Sequence, residues 1–384
     1  MVSRVQRGAI AEWFWTIDRV FLVAFLLLIG TGFMLSFSAS PPEAARLGLP
    51  SFFFVKRHAV FLVPTIATLV GASFLSPRQV RRSALVILAI AIALMVAALF
   101  FGVEVKGSRR WVSVLGLSIQ PSEFMKPAFI VICAWLFSEH GRHREVPGNL
   151  FAIILLAIVA ALLVAEPDLG QTLLTSMVWG GMFFLAGISW IWIFGLLGLS
   201  AGGLALAYSS FTHVQERVDR FMTGQGDTYQ VDTAREAIVR GHWFGTGPGE
   251  GVVKRILPDS HTDFVFSVGA EEFGIIFCAV LVLLFAFIVF RGFNHAKRER
   301  DDFTRLAVCG LSLQFGLQSM INICVNLRLM PAKGMTLPFI SYGGSSMVAV
   351  AVTAGFLLAL TRRRPESRSR ERGFIRSMVP LPAE

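Results

Sequence analysis

Ten apolar runs alternate with polar connections along the chain, at about 17–38, 58–75, 83–103, 121–139, 150–165, 169–188, 190–208, 264–290, 303–325 and 342–360. A helix rises 1.5 Å per residue, so about twenty apolar residues cross a hydrocarbon core of about 30 Å. In that core every backbone N–H and C=O must find a partner, and an unbroken apolar run does so as a helix. The short alternating segments of a membrane barrel are missing. The pattern predicts an all-α, polytopic membrane protein of ten transmembrane helices. Residues 1–361 form one transmembrane domain, and 362–384 form a separate basic tail. The longest polar interruption, about 210–262, becomes a large loop between helices seven and eight.

Charge orients the ten helices. The chain carries 35 Lys and Arg against 25 Asp and Glu, a formal net charge of +10. The basic connections PRQVRR (77–82), HGRHREVPG (140–148) and NHAKRERDD (294–302) fall on one side of the ten-helix layout. The N-terminal Arg4 and Arg7 and the tail RRRPESRSRER (362–372) fall on that side too. Lys and Arg hold loops in the cytoplasm, which places both ends there and the large loop outside. The tail reads as topological and disordered rather than as a nucleic-acid arm. With 54% hydrophobic and 16% charged residues, the chain has too little polar surface for a soluble domain. The first run is long for a cleaved signal and reads as a signal anchor. Cys133, Cys278, Cys309 and Cys324 lie in apolar runs without CxxC spacing, and read as small core residues.

Some charges break the topological rule. Lys106, Arg109 and Arg110 sit in KGSRRW, on the outer side, and Lys126 sits inside the start of helix four. A bare lysine deep in a membrane helix costs about 2.5–3.5 kcal/mol. Glu123, three residues earlier, shares its helix face. Two readings stand: a structural Glu–Lys bridge, or a cationic site for an anionic ligand. Four cations against the bias suit a diphosphate, with Arg as a planar fork and Lys as a point charge. Trp111 is either an interfacial aromatic or a surface for stacking a sugar. Glu166-Pro167-Asp168 ends helix five and lets Asp168 cap helix six. Asp263 closes the polar loop where it meets hydrocarbon. It is either a helix-terminal acid for helix eight or a partly shielded general base. His261 reads as a loop residue. Glu271 and Glu272 lie about 12 Å further along the same helix. Acids within the membrane are functional by default or pair with bases of other spans. GTGPGEG (245–251) fits no phosphate-binding fingerprint and reads as a flexible outer loop.

GSRRW (107–111), QPSEFMK (120–126), EPDLGQTLL (166–174), LPDSHTDFVFSVGAEEFG (257–274) and LPFISYGGSS (337–346) together resemble the SEDS family of FtsW, RodA and SpoVE. The likeness runs in order over nearly the whole chain, and EPD, VGAEEFG and PFISYGGSS are closer to the FtsW branch. It implies an inverting peptidoglycan glycosyltransferase in the cytoplasmic (inner) membrane. The substrate would be lipid II, the undecaprenyl-diphosphate-linked disaccharide pentapeptide, polymerised at the outer face during septal wall synthesis. A class B penicillin-binding protein of the FtsI type and other divisome membrane proteins would be its partners, with no nucleic acid. The resemblance makes Asp263 the catalytic acid, and makes Arg109, Arg110, Trp111, Glu123 and Lys126 substrate-binding residues. Lys333 and Ser341 are weaker candidates for head-group contacts. The sequence holds no dedicated metal cage, and a need for Mg²⁺ or Mn²⁺ stays open. The middle of the outer loop departs from the family pattern, so acceptor contacts do not carry over. The rival readings are a RodA-like elongation polymerase, a lipid II flippase and a structural scaffold.

Overall fold

The computed structural model describes residues 8–105, 108–114, 117–143, 145–187, 229–331 and 334–363, with isolated positions between 195 and 219. The chain opens with a short helix, α1 (Ala9–Thr16). Three long helices follow: α2 (Arg19–Arg46), α3 (Phe53–Ser73) and α4 (Pro77–Phe101). Next come α5 (Pro121–Arg142), α6 (Gly148–Ala165) and α7 (Leu169–Leu185). The amphipathic α8 (Tyr229–Gly241) precedes α9 (Val265–Arg298), α10 (Asp302–Asn326) and α11 (Gly344–Leu360). Among the described residues, α2, α3, α4, α6, α9 and α10 are long and apolar enough to cross a membrane, and α7 and α11 are shorter apolar helices. The seventh run of the sequence, about 190–208, lies outside the described residues.

Burial sorts these helices into a centre and a ring. α5 and α11 are buried around most of their circumference, and α10 nearly so. The sequence of α11, SSMVAVAVTAGFLLAL, supplies the small residues that let helices approach closely where hydrocarbon offers no driving force. The apolar faces of α3, α4 and α6 stay largely uncovered, as expected of surfaces turned to lipid.

Two features depart from the pattern of apolar runs. The segment after α4 is not a plain loop. It forms an antiparallel sheet in the order β1-β2-β3, from β1 (Val103–Val105), β2 (Ser108–Val114) and β3 (Leu117–Ile119). Glu104 pairs with Arg109, Val103 with Trp111 and Val112 with Ile119. Its β-branched, alternating residues favour strands, but the strands are too short to register as a separate run.

The second departure is in α9, which is not one continuous helix. Gly274 breaks it with φ 81° and ψ 178°, a conformation open almost only to glycine. A break frees carbonyls on one side and amides on the other. The polar loop satisfies both. Thr246 and Gly247 donate to the carbonyls of Glu271 and Glu272 at 2.9 and 3.1 Å, and Ile275 and Ile276 donate to those of His242 and Trp243 at 2.9 and 3.3 Å. The glycine-rich stretch 245–251 is thus pinned to the break and is not a flexible loop. Gly245 and Gly247 take positive φ (83° and 108°) to follow that path.

The end of the bundle that holds α1 and the end of α11 is closed by a clasp. Asp18 caps α2 through the Phe21 amide at 3.1 Å, and it accepts from Arg291 at 2.7 and 2.8 Å and from His295 at 2.6 Å. Burial alone would raise this carboxyl, but the hydrogen bonds from His295 and Arg291 hold it well below the usual carboxylate range.

Candidate active site

The opposite end of the bundle gathers polar side chains that apolar helices do not otherwise tolerate. α5 begins there with Pro121 at its first position, where the missing N–H costs nothing. Glu123 stands in its first turn and Lys126 one turn deeper. Both are buried, 4% and 2% exposed. The Lys126 ammonium lies 2.9 Å from Glu123 Oε2 and donates to Gln318 Oε1 at 3.1 Å. Gln171 Nε2 donates to the other Glu123 oxygen at 2.6 Å. Burying such a pair is tolerable only because further hydrogen bonds dress both charges.

This cluster extends outward. Asp168 caps α7 by accepting the Gln171 amide at 3.3 Å. It also accepts from Gln120 Nε2 at 3.4 Å and pairs with Arg110 at 3.1 Å. Alternation along β2 turns Arg110 to the face opposite that of Arg109 and Trp111. Arg110 is therefore the member of the GSRRW motif tied into the interior, while Arg109 is exposed and Trp111 half-buried. Lys106 and Lys333 lie outside the described residues.

Asp263 precedes α9 without capping it. The N-cap is Phe264, with no side-chain cap. The Asp263 backbone is held by α10: its carbonyl accepts from Asn322 and Asn326 at 2.9 and 3.0 Å. Asn326 Oδ1 also takes the Ser267 amide and hydroxyl, at 3.2 and 2.7 Å. The Asp263 carboxylate lies over Gly334, where an added Cβ would come within 3.2 Å of Oδ2. Asn322 further donates to the Met335 carbonyl at 2.6 Å, and Gln318 to that of Thr336 at 3.1 Å.

Gln314, Gln318, Asn322 and Asn326 recur every four residues, forming one polar stripe along α10. Two of these, one turn or about 6 Å apart, link Lys126 to the backbone of Asp263. Amide side chains at helical spacing within an apolar run are the sequence signal of this stripe, and local charge and motif spacing do not point to it.

The remaining residues have defined places. The His261 ring packs against Phe54 at 4.3 Å and Tyr342 at 5.5 Å between centroids. Its carbonyl accepts the Tyr342 amide at 2.9 Å, and burial lowers its pKa to about 4, so it is neutral near pH 7. Ser341 is buried, and its hydroxyl accepts the Leu337 amide at 2.8 Å, closing a turn of its own segment. Glu271 and Glu272 take their partners from the polar loop and α2. Glu271 accepts the amides of Val252, Val253 and Lys254 at 2.7, 2.7 and 2.9 Å. Glu272 accepts the Lys254 ammonium and the Ser38 hydroxyl. Among the described residues no three His, Cys, Asp or Glu side chains group to hold a metal ion.

Fold and site together define a polytopic helical membrane protein with a buried acid–lysine–amide network at one end. Residues 18–366 match the FtsW/RodA/SpoVE family of cell cycle proteins. The chain is 47% identical over 379 residues to a probable peptidoglycan glycosyltransferase FtsW of Caulobacter vibrioides, covering 98% of this chain and 97% of that one. It is 32% identical over 408 residues to the protein of the same description from Neisseria gonorrhoeae, covering 93% and 86%. Among solved structures it resembles a chain from a study of the structural coordination of polymerization and crosslinking by a peptidoglycan synthase complex. That likeness has a TM-score of 0.74 and 26% identity, over 90% of this chain and 97% of that one. It also resembles the rod shape determining protein RodA of Thermus thermophilus, with a TM-score of 0.67 and 26% identity, over 90% and 96%. The chain belongs to the FtsW/RodA/SpoVE family, the SEDS proteins.

Proposed function

We propose that this chain polymerises lipid II at the outer face of the cytoplasmic membrane, as a peptidoglycan glycosyltransferase of the FtsW/RodA type acting in cell-wall synthesis. The reaction joins C1 of one lipid-linked sugar chain to the O4 hydroxyl of the acceptor lipid II. The C1–diphosphate bond breaks, a β-1,4 bond forms, and the hydroxyl proton must leave. Asp263 takes that proton, a role that contributes about 10²–10⁴-fold. Negative charge builds on the departing diphosphate, which calls for fixed positive charge nearby. Arg110, with Arg109 and Trp111 on the other face of β2, meets the substrate head group. Lys126 acts from inside, fixed by Glu123 and Gln318. Ser341 belongs to the segment beside Asp263 and serves it by closing its turn, and Lys333 is a further candidate for head-group contact.

One observation carries this reading: a single polar stripe on α10 holds both the backbone of Asp263 and the ammonium of Lys126. An acid for the nucleophile and a cation for the leaving group thereby share one rigid support. The layout we infer has ten spans, both ends in the cytoplasm and 210–262 outside. The septal role follows the FtsW likeness. A class B penicillin-binding protein is the inferred partner, supported by the likeness to a chain of a peptidoglycan synthase complex.

The test is polymer formation from lipid II by purified protein, with and without such a partner, and with Mg²⁺ or Mn²⁺ added or chelated. Asp263→Asn should lower polymerisation at least about 10²-fold while leaving the protein inserted and folded. Full activity in Asp263→Asn would refute the base. Transfer of lipid II across liposomes without polymer would favour a flippase.

A further inference from the structure

Glu166 ends α6 and is fully buried, yet among the described residues neither of its carboxyl oxygens has a hydrogen-bonding partner. Two residues on, Asp168 has three donors: the Gln171 amide, the Gln120 side chain and the Arg110 guanidinium. One acid is fully dressed and its neighbour is bare. A bare carboxylate out of water is disfavoured, and such groups take up a proton instead. Burial, and then the charge of Asp168, raise the Glu166 carboxyl to about 8, with Arg110 opposing in part.

We infer that Glu166 is a positioning residue held as the neutral acid, so that the Arg110–Asp168 pair beside it stays charge-balanced and Arg110 remains available to a diphosphate. This rests on the lipid II reading above. With Glu166 neutral, the three groups sum to zero, and an arriving diphosphate finds a guanidinium it can share. With Glu166 ionised, they sum to −1. The extra charge then tightens the hold on Arg110 and repels an anionic head group. The only chemical event is exchange of one proton with water. Among the described residues, the other charged groups of this site are Arg109 on β2, the Glu123–Lys126 pair on α5 and Asp263 ahead of α9, with Glu104 paired to Arg109 in the strand register. The described part of α7 carries no titratable side chain, and α4 carries none at this end. Among the described residues, Glu166 is thus the bare acid of the cluster.

The test reads KM for lipid II from about pH 6.5 to about pH 9.5, using the full chain with its partner. One pKa unit of interaction corresponds to a tenfold change in affinity. In the wild-type protein KM should rise about tenfold across this range, with kcat following a different profile. Glu166→Gln, which fixes the neutral form, should keep the neutral-pH KM and lose the rise. Glu166→Met serves as a second neutral side chain should Gln fold poorly. A KM that still rises in Glu166→Gln and Glu166→Met would overturn the inference. So would loss of binding at neutral pH in both variants, which would mean that an ionised carboxylate is required, as for a cation; a Mn²⁺ titration would then show it. A separate readout is infrared: a protonated-carboxyl band near pH 7 that Glu166→Gln removes, and absence of that band overturns the inference too. If the wild-type protein makes no polymer, the lipid II reading fails, while the infrared result still judges the state of Glu166.

Discussion

Removing Lys254 tests how the polar loop is fastened to the broken helix. Its ammonium is paired with Glu272, and the two side chains are 5% and 0% exposed. Lys254→Met leaves Glu272 with the Ser38 hydroxyl alone. Removing one partner of a buried pair costs about 3–5 kcal/mol, because the other charge is stranded. Replacing both by apolar groups of similar volume is often neutral or better. Lys254→Met should therefore lose about 3–5 kcal/mol. Glu272→Leu should lose less, since a lysine stem can carry its charge back towards water. The double variant should lie within about 1 kcal/mol of wild type, so the cycle gives a coupling of a few kcal/mol. The assay is thermal unfolding of all four proteins in one detergent, with trypsin cleavage after Arg255 and Arg240 as the local probe. Faster cleavage in Lys254→Met, reversed in the double variant, is expected. If Lys254→Met is as stable as wild type, or if the double variant costs the sum of the singles, the fastening argument is refuted.

Two further outcomes follow. Gly274→Ala forces an L-residue into a backbone region costing about 1–3 kcal/mol and drives its Cβ into the Trp243 carbonyl and Gly245 amide. Thermal unfolding should show a loss of at least that size, with faster trypsin cleavage of the loop. Asp18→Asn removes the charged acceptor of the Arg291–His295 clasp and should cost about 1.5–3 kcal/mol at pH 7. Because the folded pKa of Asp18 is depressed, its stabilisation is present above the unfolded value of 3.8 and is lost as pH falls through the lower folded one. The gap between wild type and Asp18→Asn in unfolding temperature should accordingly shrink on acidification.

Apolar length made the helices legible, because crossing hydrocarbon demands it. Spacing made two contacts legible as well: Glu123 with Lys126, one turn apart, and Asp168 as a cap. Their further partners, Gln171, Gln318 and Arg110, were not, since these lie on other elements far along the chain. The break at Gly274 hides inside a single long, mostly apolar run, and the groups that satisfy it are about 25–33 residues earlier. The small sheet hides for the opposite reason, its strands being too short to stand out. Asp263 shows the limit most clearly. Its neighbourhood in sequence suggested a cap, whereas its position is set by Asn322 and Asn326 at the far end of another helix.

The interruption at Gly274 also divides α9 mechanically. The membrane-crossing part from Ile275 onward is joined to the part that follows Asp263 by one glycine and by bonds that run through the loop. A tilt of the lower rod is taken up at that joint. A tug on residues 241–254 instead reaches Asp263 through Glu271 and Glu272, about two helical turns away. Under the roles proposed above, a partner seated on residues 241–254 would have a short handle on Asp263, and the shaft beyond Gly274 need not stir.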